Sequence, residues 1–329
     1  ADSYFSNLRK YLKRNGDFIE IMKIVDRQTI FDEVLQACII ILFRKRKPLD
    51  GHHICVREIA QRKDIGSLAS SLLVLKEDVY QPDQFDGCLF CSNKKEAYSV
   101  WEKVCQVSKP LTEFGISFTT GKIQWDLYKK YLVAQPVPGS VRLIWAENVQ
   151  HYAFKPSVKR SEQEYIKKAA GVKPGIVHDT IVTQRVTADE QEFRIIATIF
   201  SPKEAGFDGL SENHTNYLES ISDTVELRYL LGCLNSKLYD FFFRHISSNT
   251  QVSAGQLNSL PLVGIPKARQ TDFITQVDRI LSITKGKDYF DSEAKQEKVK
   301  IIGREIDQLV YDLFGLNKEE IAVVEGSVK

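Results

Sequence analysis

The chain has 329 residues, 43% hydrophobic and 27% charged, which is ordinary for a globular protein with room for two or three domains. Its six scattered cysteines make no disulfide framework and fit a reduced, cytoplasmic setting; no apolar run approaches a membrane span and no secretory signal is recognisable, so no membrane partner is expected. A net charge of +2 hides an asymmetry, since residues 121–173 hold ten Lys or Arg against four acids and leave the rest of the chain net acidic. A phosphate-contacting segment has this signature, and so does a set of solvated faces.

In chain order, Ser3 can cap a helix within residues 1–16, with Leu8 and Leu12 on one face and Gly16 as its stop. Phe18–Val25 alternates like a half-buried strand. Ala37–Phe43 is continuously apolar, as in a strand buried on both faces, and Arg44–Lys47 return it to water. One helix and two strands do not enclose a core alone. From Pro48 to Pro110 the pattern is weaker: His53–Ile59 reads as a strand, Ile65–Leu75 as helix or strand, and Val79–Pro82 as extended. Asn93–Val107 reads as a helix with Ala97, Val100, Trp101 and Val104 inward. Cys88-Leu-Phe-Cys91 is a single CxxC. A zinc site there needs two more ligands, Cys105, His52 and His53 being the candidates nearby; buried core cysteines are the competing reading.

Beyond Leu111, the run Thr119-Thr-Gly-Lys122 predicts a turn with Gly121 at positive φ and Lys122 outward. Pro136–Gly139 is a turn before a strand at Val141–Trp145. Glu147 and Asn148 follow in a polar turn, where they either read bases or stabilise the turn itself. Lys167 and Lys168 lie in the basic segment. Ile176–Phe200 reads as a β-hairpin with its turn at Thr187–Gln191. On it Gln184 and Arg185 can pair adenine and guanine through two hydrogen bonds each, or occupy a solvated sheet face. Tyr229–Pro261 then reads as an apolar helix with Leu231, Leu234, Leu238 and Phe242 on one stripe, interrupted by Asn235, Ser236 and Lys237. Arg244 and His245 lead into a polar loop at Ser247–Gln251, which contacts phosphates and base edges or merely connects. Ser253 and Gln256 stand at capping-box spacing before a short helix ending at Leu260-Pro261. The tail is helical: an amphipathic Thr271–Ile283, a longer Glu293–Phe314 stopped by Gly315, and a last helix opened by Asn317 and Glu320.

Taken together, an apolar helix carrying Leu-Asn-Ser-Lys, a polar loop and a short helix ending in Leu-Pro resemble the specificity domain of TaqI-like adenine-N6 DNA methyltransferases. The same module occurs in restriction enzymes that fuse cleavage, methylation and recognition. Ser140–Phe154, Asp179–Phe200, Asn213–Tyr217 and the ending Ile306–Leu316 resemble further segments of that family, and the last is assigned a packing role. The resemblance covers roughly residues 1–45 and 105–325. It implies an α+β chain: a mixed β target-recognition domain at 111–266 with C-terminal helices at 267–329, preceded by a remnant of a Rossmann-like methyltransferase domain at 1–47 and a connecting region at 48–110. The family's Asn/Asp-Pro-Pro-Tyr/Phe motif and the Gly-rich loop for S-adenosylmethionine are then expected upstream of residue 1. Pro-Pro occurs nowhere, and Pro138-Gly-Ser140 and Lys285-Gly-Lys287 lack the strand-loop-helix setting of a nucleotide site. No catalytic or cofactor-binding residue is therefore assigned, and S-adenosylmethionine belongs to the longer parent. The expected partners are double-stranded DNA and the catalytic domain. The candidate DNA contacts are Lys122, Glu147, Asn148, Lys167, Lys168, Gln184, Arg185, His214, Lys237, Arg244, Asn249, Thr250 and Gln251. The rival readings are a separate specificity subunit or scaffold acting in trans, and a metalloenzyme built around Cys88 and Cys91.

Overall fold

The computed structural model describes residues 6–24, 38–68, 71–79, 89–156, 163–188, 191–247 and 250–326. The proposed cap at Ser3, Cys88 of the CxxC, Lys159 and Arg160 of the basic segment, and Asn249 lie outside them.

Helix α1 (Ser6–Asn15) runs directly into strand β1 (Gly16–Ile24), followed by β2 (Ile39–Lys45), β3 (His53–Ile59) and β4 (Ser71–Leu75). Their order is β2-β1-β3-β4, with β1 and β3 parallel and the outer pairs antiparallel. Two expectations change here. The continuously apolar β2 is not buried on both faces: it is an edge strand, with Ile39 46% and Leu42 50% exposed. An edge strand has a neighbour on one side only, so its apolar run is not evidence of a central position. The division at residue 47 also falls inside this sheet, and the connecting region supplies two of its strands. Ile65–Leu75, open between helix and strand, is a short 3-10 turn at Arg62–Gly66 followed by β4. Val79 ends a one-turn helix, and the rest of the Val79–Pro82 segment, residues 80–82, lies outside the described residues.

The inner face of the sheet, with Phe18, Ile21, Ile54 and Val56 fully buried, joins the principal core. Helix α2 (Lys95–Val107) is amphipathic as expected, burying Ala97, Val100, Trp101 and Val104. Phe90 stacks on Trp101 at 5.3 Å and on His245 at 4.8 Å, and Trp101 stacks on Phe242 at 4.8 Å. The described part of residues 48–110 thus contributes to the principal core.

The remaining strands are β5 (Ser117–Thr120), β6 (Val141–Ile144), β7 (Thr180–Gln184), β8 (Ala197–Phe200), β9 (Gly209–Ser211) and β10 (Thr215–Ser220). One antiparallel sheet has the order β8-β7-β10-β5, with the predicted hairpin as its β7–β8 pair. Thr180, Ile181, Val182 and Thr183 of β7 are all buried, so both faces of the strand are covered over these residues. A second sheet pairs β6 with β9 in parallel and continues through the two-residue strands Tyr165–Ile166 and Leu132–Val133. It has its own small core of Ile123, Val141, Leu143, Trp145, Ile166 and Leu210.

The long apolar helix expected after Tyr229 is two helices, α3 (Leu227–Leu234) and α4 (Lys237–Ile246). The break serves the sheet. The Asn235 amide accepts from the backbone N–H of Ala197 (3.0 Å) and donates to its carbonyl (2.9 Å), so one side chain docks on both polar groups of a β8 residue. Ser236 then caps α4 by accepting from the N–H of Tyr239. Helix α5 (Ala254–Asn258) carries the predicted Ser253/Gln256 capping box. The tail comprises α6 (Lys267–Thr284), α7 (Glu293–Phe314) and α8 (Lys318–Glu325), with Gly315 at φ +65 ending α7 and an Asn317/Glu320 capping box starting α8. The architecture is mixed α+β. Among the described residues no helix is long and apolar enough to cross a membrane.

Candidate functional site

Four chain segments meet where β7, β5 and the β9–β10 turn end, and backbone hydrogen bonds lock them together. The N–H of Arg185 donates to the carbonyl of His214 (2.8 Å), and the N–H of Val252 donates to the carbonyl of Arg185 (2.7 Å). The N–H of Thr187 donates to the carbonyl of Thr250 (2.9 Å), and Val186 bridges Gln251. On the other flank the N–H of Gly121 reaches the carbonyl of Thr215 (2.9 Å), and the N–H of Asn213 reaches that of Ile123 (3.0 Å). Lys122, Arg185, His214, Thr250 and Gln251, all singled out from the sequence, are therefore neighbours on one frame.

Side chains complete the cluster. Arg185 donates from Nη1 to the Asn213 carbonyl (2.8 Å) and from Nη2 to Oε1 of Gln251 (3.4 Å), while its buried Nε has no partner. Oδ1 of Asn213 is likewise buried and unpartnered. Buried polar atoms are nearly always paired, so these two are unusual. Lys122 and Gln251 are exposed.

Gly121 does not take the positive φ predicted for it. Its requirement is steric: a Cβ there would collide with the backbone carbonyls of Ser211 and Glu212, which cross directly against it. That close crossing carries Glu212, a residue not singled out from the sequence. It is 1% exposed, and its carboxylate accepts from the His214 N–H through Oε2 (2.9 Å) and meets His214 Nδ1 through Oε1 (2.8 Å). Thr215 and Asn216 turn inward: Thr215 Oγ1 donates to the Glu212 carbonyl. The Asn216 amide accepts from Thr120 Oγ1 and donates to Thr183 Oγ1 and to the Val252 carbonyl. In Asn213–Tyr217, then, His214 is displayed and its neighbours are struts.

The other candidates do not join the cluster. Asn148 is fully buried, accepting from the N–H of Trp145 (2.8 Å) and donating to the Lys155 carbonyl (2.7 Å), so it stabilises the turn and reads nothing. Glu147 beside it is exposed. Gln184 spends its amide on the Val149 carbonyl (2.6 Å). Lys237 pairs with Glu325 of α8. Arg244, largely buried, pairs with Asp240 and donates to the carbonyls of Gln191 and Glu192, bracing the hairpin turn. Both are structural ion pairs in place of the expected DNA contacts, because their helix faces pack against other elements. The loop at Ser247–Gln251 is tethered at both described ends: Ser247 is buried and accepts from Gln256 Nε2 (3.0 Å), and Thr250 is bound to Thr187.

The basic segment divides as well. Lys122, Lys129, Lys130, Lys168 and Lys173 are exposed and Lys167 half-buried, whereas Arg142 is buried against Glu164 and the Tyr165 ring. Lys167 and Lys168 belong to the layer of the second sheet, the Lys167 N–H donating to the Tyr131 carbonyl. Of the CxxC, Cys91 is buried and its thiol pushed up to about 12 by burial. No group of three or more His, Cys, Asp or Glu suited to a metal ion occurs among the described residues.

In class, the chain resembles the methyltransferases of restriction–modification systems. It is 24% identical over 278 residues to the type II methyltransferase M.PstI of Providencia stuartii, an alignment covering 78% of this chain and 52% of that protein. The chain spans about half the length of this relative. No protein-family model matches it. Looser structural likenesses include the type IIL restriction-modification enzyme MmeI in complex with DNA and the type IIG restriction endonuclease BpuSI. The first has TM-score 0.47 and 12% identity, with 95% of this chain and 46% of that one covered. For the second the TM-score is 0.37 and the identity 10%, with 93% and 45% covered.

Proposed function

We propose that this chain is the target-recognition part of an S-adenosylmethionine-dependent adenine-N6 DNA methyltransferase of a restriction–modification system, and that it binds duplex DNA. The observation that carries the reading is the convergence of Lys122, Arg185, His214, Thr250 and Gln251, from four separate segments, on one frame of backbone hydrogen bonds. A rigid frame with displayed polar tips suits base-edge contacts, which need fixed geometry. The exposed lysines at 122, 129, 130, 168 and 173, with the half-buried Lys167, supply the phosphate contacts that fix register. The likeness to a type II methyltransferase and the resemblance of the Leu-Asn-Ser-Lys, Asn-His-Thr-Asn-Tyr and C-terminal segments to TaqI-like enzymes support the same reading. Chemistry and cofactor belong to a catalytic domain supplied by the longer parent, which would methylate an adenine flipped from the duplex.

The test is selection of bound duplexes from a random pool by this chain at two salt concentrations. A defined preferred sequence and an affinity that falls steeply with salt are expected. Absence of DNA binding at every salt concentration would refute the reading.

A further inference from the structure

Resting on that reading, we infer that Glu212 is a positioning residue. It clamps the His214 ring so that Nε2 is presented to a base edge, and His214 thereby sets the preference at one position of the recognised site. A carboxylate has acceptors only, so its contact with Nδ1 places the ring proton there. The second carboxylate oxygen, taken by the His214 backbone N–H, removes the freedom of the carboxylate to follow the ring. Imidazole in this arrangement is fixed in tautomer and in angle, as when a carboxylate orients a metal-ligating or catalytic histidine. The remaining nitrogen, Nε2, stands at the displayed end of a side chain that is 53% exposed.

The cost of the arrangement argues for its use. Glu212 is 1% exposed, and among the described residues its carboxylate meets two groups, both of His214. A buried carboxylate is expensive, and a surface histidine needs no such support to fold. The surroundings are built around the pair: Gly121 lets the β5 end approach the 211–212 backbone, and Thr215 ties the Glu212 carbonyl. Beside the ring, the Arg185 backbone N–H holds the His214 carbonyl, and its guanidinium grips Asn213. His214 and Arg185 are thus registered against each other as adjacent readers, with unpartnered Arg185 Nε and Asn213 Oδ1 beneath them.

The experiment repeats the duplex selection with His214→Ala, His214→Gln and Glu212→Gln in the full 329-residue chain, with affinity for random duplex and the unfolding midpoint measured on each preparation. His214→Ala should flatten the preference at one base position, lowering the discrimination there roughly 5- to 150-fold while leaving random-duplex affinity within about twofold. In Glu212→Gln the amide keeps one acceptor, so the ring loses part of its support and the same position should weaken while others hold. His214→Gln, whose amide also reaches a base edge, should restore a preference there, though not the same one. If wild type selects a sequence and His214→Ala keeps it unaltered at every position, the inference fails while the DNA-binding reading stands. If wild type selects nothing, the reading itself fails. Glu212→Gln that lowers the unfolding midpoint with unchanged preference makes the carboxylate purely structural and also overturns the proposal.

Discussion

Asn235→Ala removes the joint between α3 and the β8-β7-β10-β5 sheet, and its effect can be worked out bond by bond. Asn235 is 3% exposed and its amide serves both polar groups of Ala197. The Ala197 carbonyl keeps a second donor, the N–H of Tyr152 at 3.0 Å, so it loses one bond of two. The Ala197 N–H loses the amide oxygen that accepts from it and becomes a buried orphan, at about 1–3 kcal/mol. Adding about 1 kcal/mol for the lost bond to the carbonyl gives a destabilisation of roughly 2–4 kcal/mol. Asn235→Asp should cost no less, since a carboxylate still accepts from the N–H but sets a second oxygen against the Ala197 carbonyl. Urea unfolding, followed in parallel by tryptophan fluorescence and far-ultraviolet circular dichroism to verify a single transition, measures the loss. A destabilisation of Asn235→Ala below about 0.5 kcal/mol would place it among ordinary surface changes and refute the strut.

Three further outcomes are expected. Leu234→Ala and Leu238→Ala, at positions 0% and 1% exposed, should each lower stability by roughly 2–5 kcal/mol in the same assay. Gly121→Ala should cost about 1–3 kcal/mol by overpacking and, since the displaced backbone carries Glu212, should also reduce sequence discrimination; full retention of both would refute the close-crossing argument. Asp307 accepts from the N–H of Lys237 at the start of α4 and is pushed up to about 6, chiefly by burial. A carboxyl held above its unfolded value of 3.8 favours the folded state below that value and penalises it as pH rises through about 6. Wild type should therefore lose roughly 3 kcal/mol between pH 4 and pH 7 relative to Asp307→Asn, which keeps an acceptor without the charge; parallel pH profiles would count against the assignment.

Much of this architecture was legible as pattern. Period-two and period-3.6 runs placed β1, β3, the β7–β8 hairpin and α7 closely, and capping residues placed α5 and α8, because these signals are local. What failed was decided by neighbours. An apolar run does not say whether its strand is central or at an edge, which misplaced β2. A polar interruption in an apolar stripe does not say whether the helix merely tolerates it or breaks there, and Asn235 breaks the helix because Ala197, 38 residues away, offers it two bonds. Gly121 was marked correctly as a glycine position but for the wrong reason, since positive φ is a local demand and backbone crossing is not. Glu212 carried one faint signal, an acid two residues before a histidine in a short polar run; its burial follows from the approach of β5, which no local window contains.

The polar residues of the resembling segments divide by direction, and that division has a consequence for how recognition can change. Asn148, Asn216, Asn235 and Asp307 are buried and hold backbone groups, whereas Lys122, His214 and Gln251 are displayed. Within Asn213–Tyr217 one displayed residue, His214, is followed directly by two buried struts, Thr215 and Asn216. A displayed side chain that contributes little to packing can be exchanged within about 0.5 kcal/mol, whereas an exchanged strut leaves a buried group unpaired. On the proposed reading, base preference is thereby separable from stability along one short stretch of chain. Arg185 is the exception: its guanidinium binds the Asn213 carbonyl and Gln251 while its Nε stays open, so a change there alters frame and tip together. New preferences should therefore be reachable through positions 122, 214 and 251 at nearly constant stability, and through 185 only at a loss of both affinity and fold.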